Sequence, residues 1–399
     1  MMTNRFPALF ALALPWFAAF PLPAQTPGAL TLGGAARFAA ERSAGPEAAR
    51  FRSAQADARV RQRRADFLPN ISATVLDNER TFNSASFGIS FADPATGRSL
   101  FNPDGQVLGP IRNWDLRGTL RQNLFDPAAF ARLKAAKAGL TAAEADAAGV
   151  AQQAAVMAAM AYVRALRSDA QLGARLADST LAAELLGISR DLVAAGVGIA
   201  LDVTRAQSQL SLIRSQLIAA RAERERARLD LVRTLGLPVG TVVTLADSLL
   251  GLPTGVTAPA ESDAVARASR TRADLRAIGE QALAAERQFD ALRAEQLPAL
   301  SLFADQGANG KSNAHLLSTY AWGIQLSVPV FDGFRRGGRM DEQRSAIREL
   351  DVRRRDLSQQ AAADVRAALI ELRAATEQRA ASDERLGFAE QELAQARDR

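Results

Sequence analysis

The sequence predicts a mainly α-helical chain with a small β part. It is built from long helical hairpins plus four strands, arranged as a duplicated helix–strand–strand–helix unit. Three observations carry this prediction. No proline occurs between Pro127 and Pro238 or after Pro329, and these stretches are rich in alanine, the strongest helix former. Two landmarks recur in the same order, Phe67-Leu68-Pro69-Asn70 with Gln296-Leu297-Pro298-Ala299, and Leu124-Phe125-Asp126 with Val330-Phe331-Asp332. Between the landmarks, residues alternate in character with the period of a strand.

The N-terminus reads as a targeting segment over 1–24. Arg5 precedes an apolar run from Phe6 to Phe20, interrupted by Pro7 and Pro15, and Pro21-Leu22-Pro23-Ala24-Gln25 supplies a cleavage site after Ala24. The run is too short for a membrane span. No Cys follows it, so anchoring through an N-terminal lipidated Cys is excluded. The mature chain is expected outside the cytoplasm. It has no other long apolar run, so it could enter a membrane only as a β-barrel.

The first repeat is expected over 25–236, with a helix at about 46–66, strands at about 68–78 and 113–125, and a helix at about 127–193. That helix would span about 100 Å at 1.5 Å per residue. Its apolar positions recur at near-heptad spacing, among them Phe130, Leu133, Leu140, Ala147, Val150 and Ala154. Gly196-Val197-Gly198 interrupts the pattern, so a tip turn is placed at about 194–200, with a return helix to Gly236. The Pro/Gly/Thr-rich stretch 237–260 reads as a connector. The second repeat, 261–399, is expected to hold a helix at about 262–296, strands at about 297–306 and 318–331, and a second long helix. Pro69 and Pro298 differ by 229 but Phe125 and Phe331 by 206, so 23 residues of extra loop are expected in the first copy. The equivalent second tip would fall beyond Arg399, so this repeat is expected to be incomplete.

The returning strands show one mostly apolar face, Trp114, Leu116, Leu120 and Leu124 in the first copy and Tyr320, Trp322, Ile324, Leu326, Val328 and Val330 in the second. Asp115, Arg117, Thr119 and Arg121 lie on the opposite face of the first. Lipid outside and water inside gives this alternation, and so does a soluble sheet with one wet face. Two features favour the barrel. Trp114 and Trp322 are expected at the starts of the returning strands, and tryptophan favours membrane interfaces. Four strands also cannot close a membrane barrel, and an open edge pairs with another chain. Three chains would give twelve strands.

Taken in order, these residues resemble the TolC-like outer-membrane efflux protein family. The likeness rests on the duplicated landmarks Pro69, Phe125, Asp126, Pro298, Phe331 and Asp332, on Arg272-Ala273-Asp274-Leu275-Arg276, and on the stretch from Ala194 to Gln207. The resemblance implies a homotrimer with a twelve-stranded transmembrane β-barrel and a periplasmic α-barrel, in the outer membrane of a Gram-negative bacterium. It implies a passive exit duct in a tripartite efflux or type I secretion system. The implied partners are a periplasmic membrane-fusion adaptor, an inner-membrane pump (proton-driven or ABC type) and outer-membrane lipid. It also implies that Gly196, Val197, Gly198 and Asp202 form an adaptor-docking tip. Trp114, Tyr320 and Trp322 are the expected membrane-interface aromatics.

Other classes fit less well. The chain has no Cys and one His, His315, which follows the Gly/Asn/Ser-rich stretch Gly307 to Asn313 and reads as a solvated loop residue. No phosphate-binding loop, nucleophile elbow or metal-ligand cluster occurs, so neither an enzyme nor a cofactor is expected. The net charge is +6, but 49 basic and 43 acidic residues are interspersed, which argues against nucleic acid as a partner. The competing reading is a soluble periplasmic coiled-coil adaptor, which would carry one hairpin between β-domains.

Overall fold

The computed structural model describes residues 29–87, 95, 96, 104–251 and 258–397. The expected targeting segment, the middle of the connector and most of the loop after the first strand lie outside the described residues. The elements run α1 (Leu32–Arg42), α2 (Ala44–Ala65), β1 (Asn70–Asn83), β2 (Val107–Phe125), α3 (Pro127–Ala194), α4 (Ala200–Thr234), α5 (Glu261–Thr271), α6 (Ala273–Ala294), β3 (Ala299–Ser312), β4 (His315–Ser327) and α7 (Arg335–Arg397).

The chain divides into two compact units. One contains the four-stranded sheet, in the order β1-β2-β3-β4 with every neighbouring pair antiparallel. It also contains α2, α5, α6, α7 and the first part of α3. Its helices pack through small residues, with Ala49, Ala56, Ala129, Ala142, Ala145, Ala282, Ala284 and Ala291 all buried. Small contact residues shorten the distance between helix axes. The other unit is a helical hairpin, the rest of α3 against α4, with residues 29–35 and 237–251 at its base.

The duplication is tighter than the landmarks alone foretold. α1, α2 and β1 become α5, α6 and β3 at one constant offset of 229, element for element and length for length. Each strand is entered by the same turn, in which Phe67 and Leu68 N–H groups reach the carbonyls of Arg64 and Ala65, and Gln296 and Leu297 those of Arg293 and Ala294. The helix expected at 262–296 is two helices. Arg272 takes an extended conformation (φ −64, ψ 126) between them, as Ser43 does (φ −72, ψ 156) between α1 and α2. The first break is followed by Gly45 and Pro46, whereas no Gly or Pro marks the second.

Strand limits also differ from the sequence pattern. β3 runs to Ser312, through the glycines read as loop. Gly307 faces Arg117 across the sheet, where a Cβ would lie 2.5 Å from the Leu116 carbonyl oxygen; at Gly310 it would lie 2.0 Å from that of His315. Those glycines serve close backbone approach rather than a turn. His315 therefore opens β4, exposed and paired with Ser312, instead of lying in a long loop. β1 and β2 extend past Pro110 because the register shifts between Arg80 and Phe82, which accommodates a residue lacking N–H. β4 ends at Ser327 rather than 331, since Pro329 cannot donate to a ladder.

Candidate channel wall and helical tip

The register decides which residues share a face of the sheet. Ile71, Ala73 and Val75 of β1 stand opposite Leu120, Gly118 and Leu116 of β2. Those three are opposite Ala304, Gln306 and Ala308 of β3, and these in turn opposite Trp322, Tyr320 and Ser318 of β4. One face therefore gathers most of the apolar residues of the four strands, while Leu76, Phe303 and Leu317 stand on the other. The first is bare, with Ile71, Val75, Leu116, Tyr320, Trp322, Ile324 and Leu326 all exposed. Trp322 of β4 is level with Leu120 of β2, and toward the helices this face carries Ile324 and Leu326 on one strand and Leu124 on the other.

The same face turns polar at its far end. Asp77 is opposite Trp114 and Glu79 opposite Arg112, and the Arg112 guanidinium donates to both Asp77 carboxylate oxygens at 2.9 and 2.6 Å. Arg112 also lies over the Trp114 ring, 5.6 Å from its centroid. Trp114 and Trp322 are not at the starts of their strands, since β2 begins at Val107 and β4 at His315. Nor are they level. Trp114 faces Gly310 and Trp322 faces Ala304, six positions along β3, which is about 20 Å at 3.3 Å per residue.

The opposite face is a hydrogen-bonded polar surface. Ser72 and Thr119 hydroxyls lie 2.6 Å apart across β1 and β2. Arg117 donates to Asp115 at 3.3 Å, to Asp305 of β3, and to the Thr319 hydroxyl of β4 at 3.0 Å, so one side chain links three strands. β1 and β4 are the outer strands of the sheet, and neither has a strand beyond it among the described residues.

The strand-to-helix landmarks are helix caps. Asp126 accepts the Ala129 N–H at 3.0 Å and the Arg132 guanidinium at 3.0 Å. Asp332 accepts the Arg336 N–H at 3.1 Å and its Nε at 2.6 Å, while Arg336 donates onward to the Glu295 carbonyl. The Arg336 side chain holds the Asp332 carboxyl below the usual carboxylate range, and burial opposes it. Phe125 and Phe331 are exposed, the latter edge-on to Phe334 with centroids 5.6 Å apart. Pro69 and Pro298 each end a four-residue link between helix and strand, and both are exposed.

At the tip of the hairpin, α3 stops in a left-handed cap. Gly196 has φ +77, its N–H reaches the Val193 carbonyl, and the Val197 N–H reaches that of Leu192. Gly198 lies so close to the last helical turn that a Cβ would approach Val193 N to 2.9 Å. Val197 is left 76 % exposed, with Ile199 and Leu201 also bare. Asp202 sits in the first turn of α4, where the helix dipole favours a carboxylate, and pairs with Arg205 at 3.4 Å. Ala182, Leu186 and Leu210 form the core behind the tip. Further back, Asp169 of α3 accepts Arg224 and Arg228 of α4, each at 2.8 Å. Burial pushes its carboxyl up, but the two guanidinium hydrogen bonds outweigh this and leave it lowered.

One feature escaped the sequence reading. Tyr162 is fully buried in α3, and its hydroxyl lies 2.7 Å from the Leu30 carbonyl and 3.0 Å from Asp247 Oδ2. Asp247 also accepts the Leu32 N–H at 2.7 Å, and Leu30 bridges to Leu245. Burial raises the Tyr162 hydroxyl above its usual pKa. The signal available in the sequence was a lone aromatic with a polar end, one of two Tyr residues, inside an alanine-rich helix. Among the described residues no helix is long and apolar enough to cross a membrane, and no cluster of side chains is placed to hold a metal ion.

A sheet bare and apolar on one side, polar on the other and open at both edges, carried beside long alanine-packed helices, defines a class of helix-and-strand wall proteins. The chain belongs to the outer membrane efflux protein family, whose model matches residues 39–237 and 264–399. It is similar to protein CyaE of Bordetella pertussis (strain Tohama I), 26% identical over 270 residues, which is 66% of this chain. That alignment spans 57% of the length of the Bordetella protein. Its fold is similar to that of the CusC crystal structures, with a TM-score of 0.73 and 16% identity over 92% of this chain and 81% of the other. It is also similar to the Campylobacter jejuni CmeC outer membrane channel, with a TM-score of 0.64 and 16% identity over 91% and 78%. The open-state Neisseria gonorrhoeae MtrE channel gives a TM-score of 0.65 and 17% identity over 85% and 72%.

Proposed function

We propose that this chain is a subunit of an outer-membrane channel, a passive exit duct for solutes driven by an inner-membrane pump. The observation that carries the reading is the shared apolar face of all four strands, bare in the single chain and backed by a polar face. A soluble sheet with one wet face would bury that apolar surface against helices. Here it is exposed, and family membership supplies an environment for it, the outer-membrane lipid. Trp114, Tyr320 and Trp322 then face lipid, with Trp114 at the border where Arg112, Asp77 and Glu79 take over. The open edges of β1 and β4 suit pairing between copies, and a homotrimer would supply twelve strands.

The helical tip is proposed as the docking point for a periplasmic membrane-fusion adaptor. Val197 offers exposed apolar area, Gly196 and Gly198 fix the turn, and Asp202 supplies a charge for orientation. The pump is of the proton-driven or ABC type. The duct itself does no chemistry, and opening is a rigid shift of packed helices. The alternative, a soluble periplasmic adaptor, leaves the bare apolar face unexplained.

Fractionation tests this directly. The protein is expected in the outer membrane as a detergent-extracted trimer, and recovery as a soluble periplasmic monomer would refute the reading. At the tip, Val197→Asp is expected to abolish export while leaving the trimer's melting temperature unchanged.

A further inference from the structure

We propose that Arg117 sets the charge balance of the barrel lumen and so its ion selectivity, an inference that rests on the channel reading above. The register orders the charges of the polar face along the strand direction. Arg121 is opposite Phe303, Asp305 opposite Thr119, Arg117 opposite Gly307 and Asp115 opposite Asn309. Signs therefore alternate, plus, minus, plus, minus, across the middle of the sheet. Lys311 and Arg80 lie on the same face toward the hairpin ends. The central four charges cancel, and Arg117 is the only one bonded to two others. It leaves one acceptor short, since Asp115 Oδ1 is buried with no partner among the described residues.

A guanidinium stays charged at any working pH, so this balance does not titrate away from the positive side. Three copies around one lumen multiply each charge by three. Losing Arg117 leaves both carboxylates against Arg121 alone among these four, a change of one charge toward negative per chain. Losing Asp305 leaves a surplus of one positive charge. A charged wall concentrates the opposite ion and depletes the like one, most strongly at low salt.

The competing role is purely mechanical, a side chain that staples β2, β3 and β4. Ion selectivity separates the two, because a staple has no preferred sign. The purified protein is reconstituted in planar bilayers, and reversal potentials are read across a KCl gradient around 20 mM, where the screening length is about 20 Å. Wild type is expected to conduct. Arg117→Gln is expected to shift the cation-to-anion permeability ratio toward cations by about threefold or more, and Asp305→Asn toward anions by a similar factor. Arg117→Lys is expected to keep the wild-type ratio. Variants that conduct with an unchanged ratio, or shift the same way, would overturn the inference and leave the channel reading intact. Absence of conductance in wild type would overturn both. If Arg117→Gln fails to insert, Asp305→Asn decides alone: a shift toward anions supports the proposal, and no shift refutes it.

Discussion

The two copies of the repeat build the same geometry with different chemistry. α1–α2–β1 and α5–α6–β3 correspond at a constant offset, yet the break between the paired helices is Ser43 in one and Arg272 in the other. Ser43 is buried and its hydroxyl donates to the Ala39 carbonyl at 2.6 Å, an acceptor that its own N–H also reaches at 3.1 Å. Arg272 instead clamps Asp274 at the start of α6 and Asp364 of α7. The strands differ likewise, for Pro329 stands where the first copy has Asn123, and the second ladder stops short. The duplicated feature is a backbone path, closed in both copies by the same N–H to carbonyl bond, Ser43 to Ala39 and Arg272 to Ala268, while the side chains differ.

The largest expected effect tests whether both copies face one lipid slab. Leu116 and Trp322 occupy equivalent places on the apolar faces of β2 and β4. Arginine at either is expected to cost about 2–4 kcal/mol near the bilayer midplane. The measurement is folding stability of L116R and W322R in lipid vesicles. Similar losses place both hairpins at one depth, whereas a loss confined to one copy breaks the correspondence.

A smaller effect is expected at the helix breaks. Arg272→Ala is expected to destabilise by about 2 kcal/mol, because it strips two carboxylates of their donor, and solvent at Asp364 limits the loss. Ser43→Ala is expected to cost about 1 kcal/mol, one hydrogen bond in a buried setting. Urea unfolding of the two variants in detergent gives the order, and a larger loss at Ser43 would contradict it.

The smallest effect is a difference in pH response. The Arg272 hydrogen bond holds the Asp274 carboxyl below its ordinary value of 3.8, with burial opposing and the Leu275 N–H assisting. A lowered folded-state pKa contributes stability that is present above the unfolded value and lost as pH falls through the folded one. The second copy's break is therefore expected to weaken below about pH 4, where the first copy's serine hydroxyl does not titrate. Hydrogen exchange in α5 and α6 at falling pH measures this. Asp274→Asn is expected to flatten the response, and Ser43→Ala to leave it unchanged.

The elements legible in the sequence were those with a local signal. Long proline-free stretches marked α3 and α7, Gly196 marked the tip, and alternation marked the apolar faces of β2 and β4. The break at Arg272 was not legible, because a group that stabilises it lies elsewhere, Asp364 being 92 residues from its partner; at Ser43 the local signal, Gly45-Pro46, marked only the start of α2. The extent of β3 was misread for a related reason. Gly307 and Gly310 look like turn residues until the partner strand shows that a Cβ there would strike a carbonyl. Of the candidate site, the residue types were visible but not their grouping. Arg117 was seen as one polar position on one strand, whereas its link to Asp305 and Thr319 depends on a register set across two further strands. The Tyr162 tie failed to register because its partners, Leu30 and Asp247, are backbone and connector positions without a motif.

The central claim is that one face of the sheet meets lipid and the other meets water. The chain has no native cysteine, so single cysteines can be placed along β4 at Trp322, Ile324 and Leu326 and at Ala321 and Gln325. The measurement is labelling of each variant in intact outer membranes by a membrane-impermeant maleimide. Strong labelling at Ala321 and Gln325, with none at Trp322, Ile324 and Leu326, is the result this structure predicts. Equal labelling along the strand would contradict it.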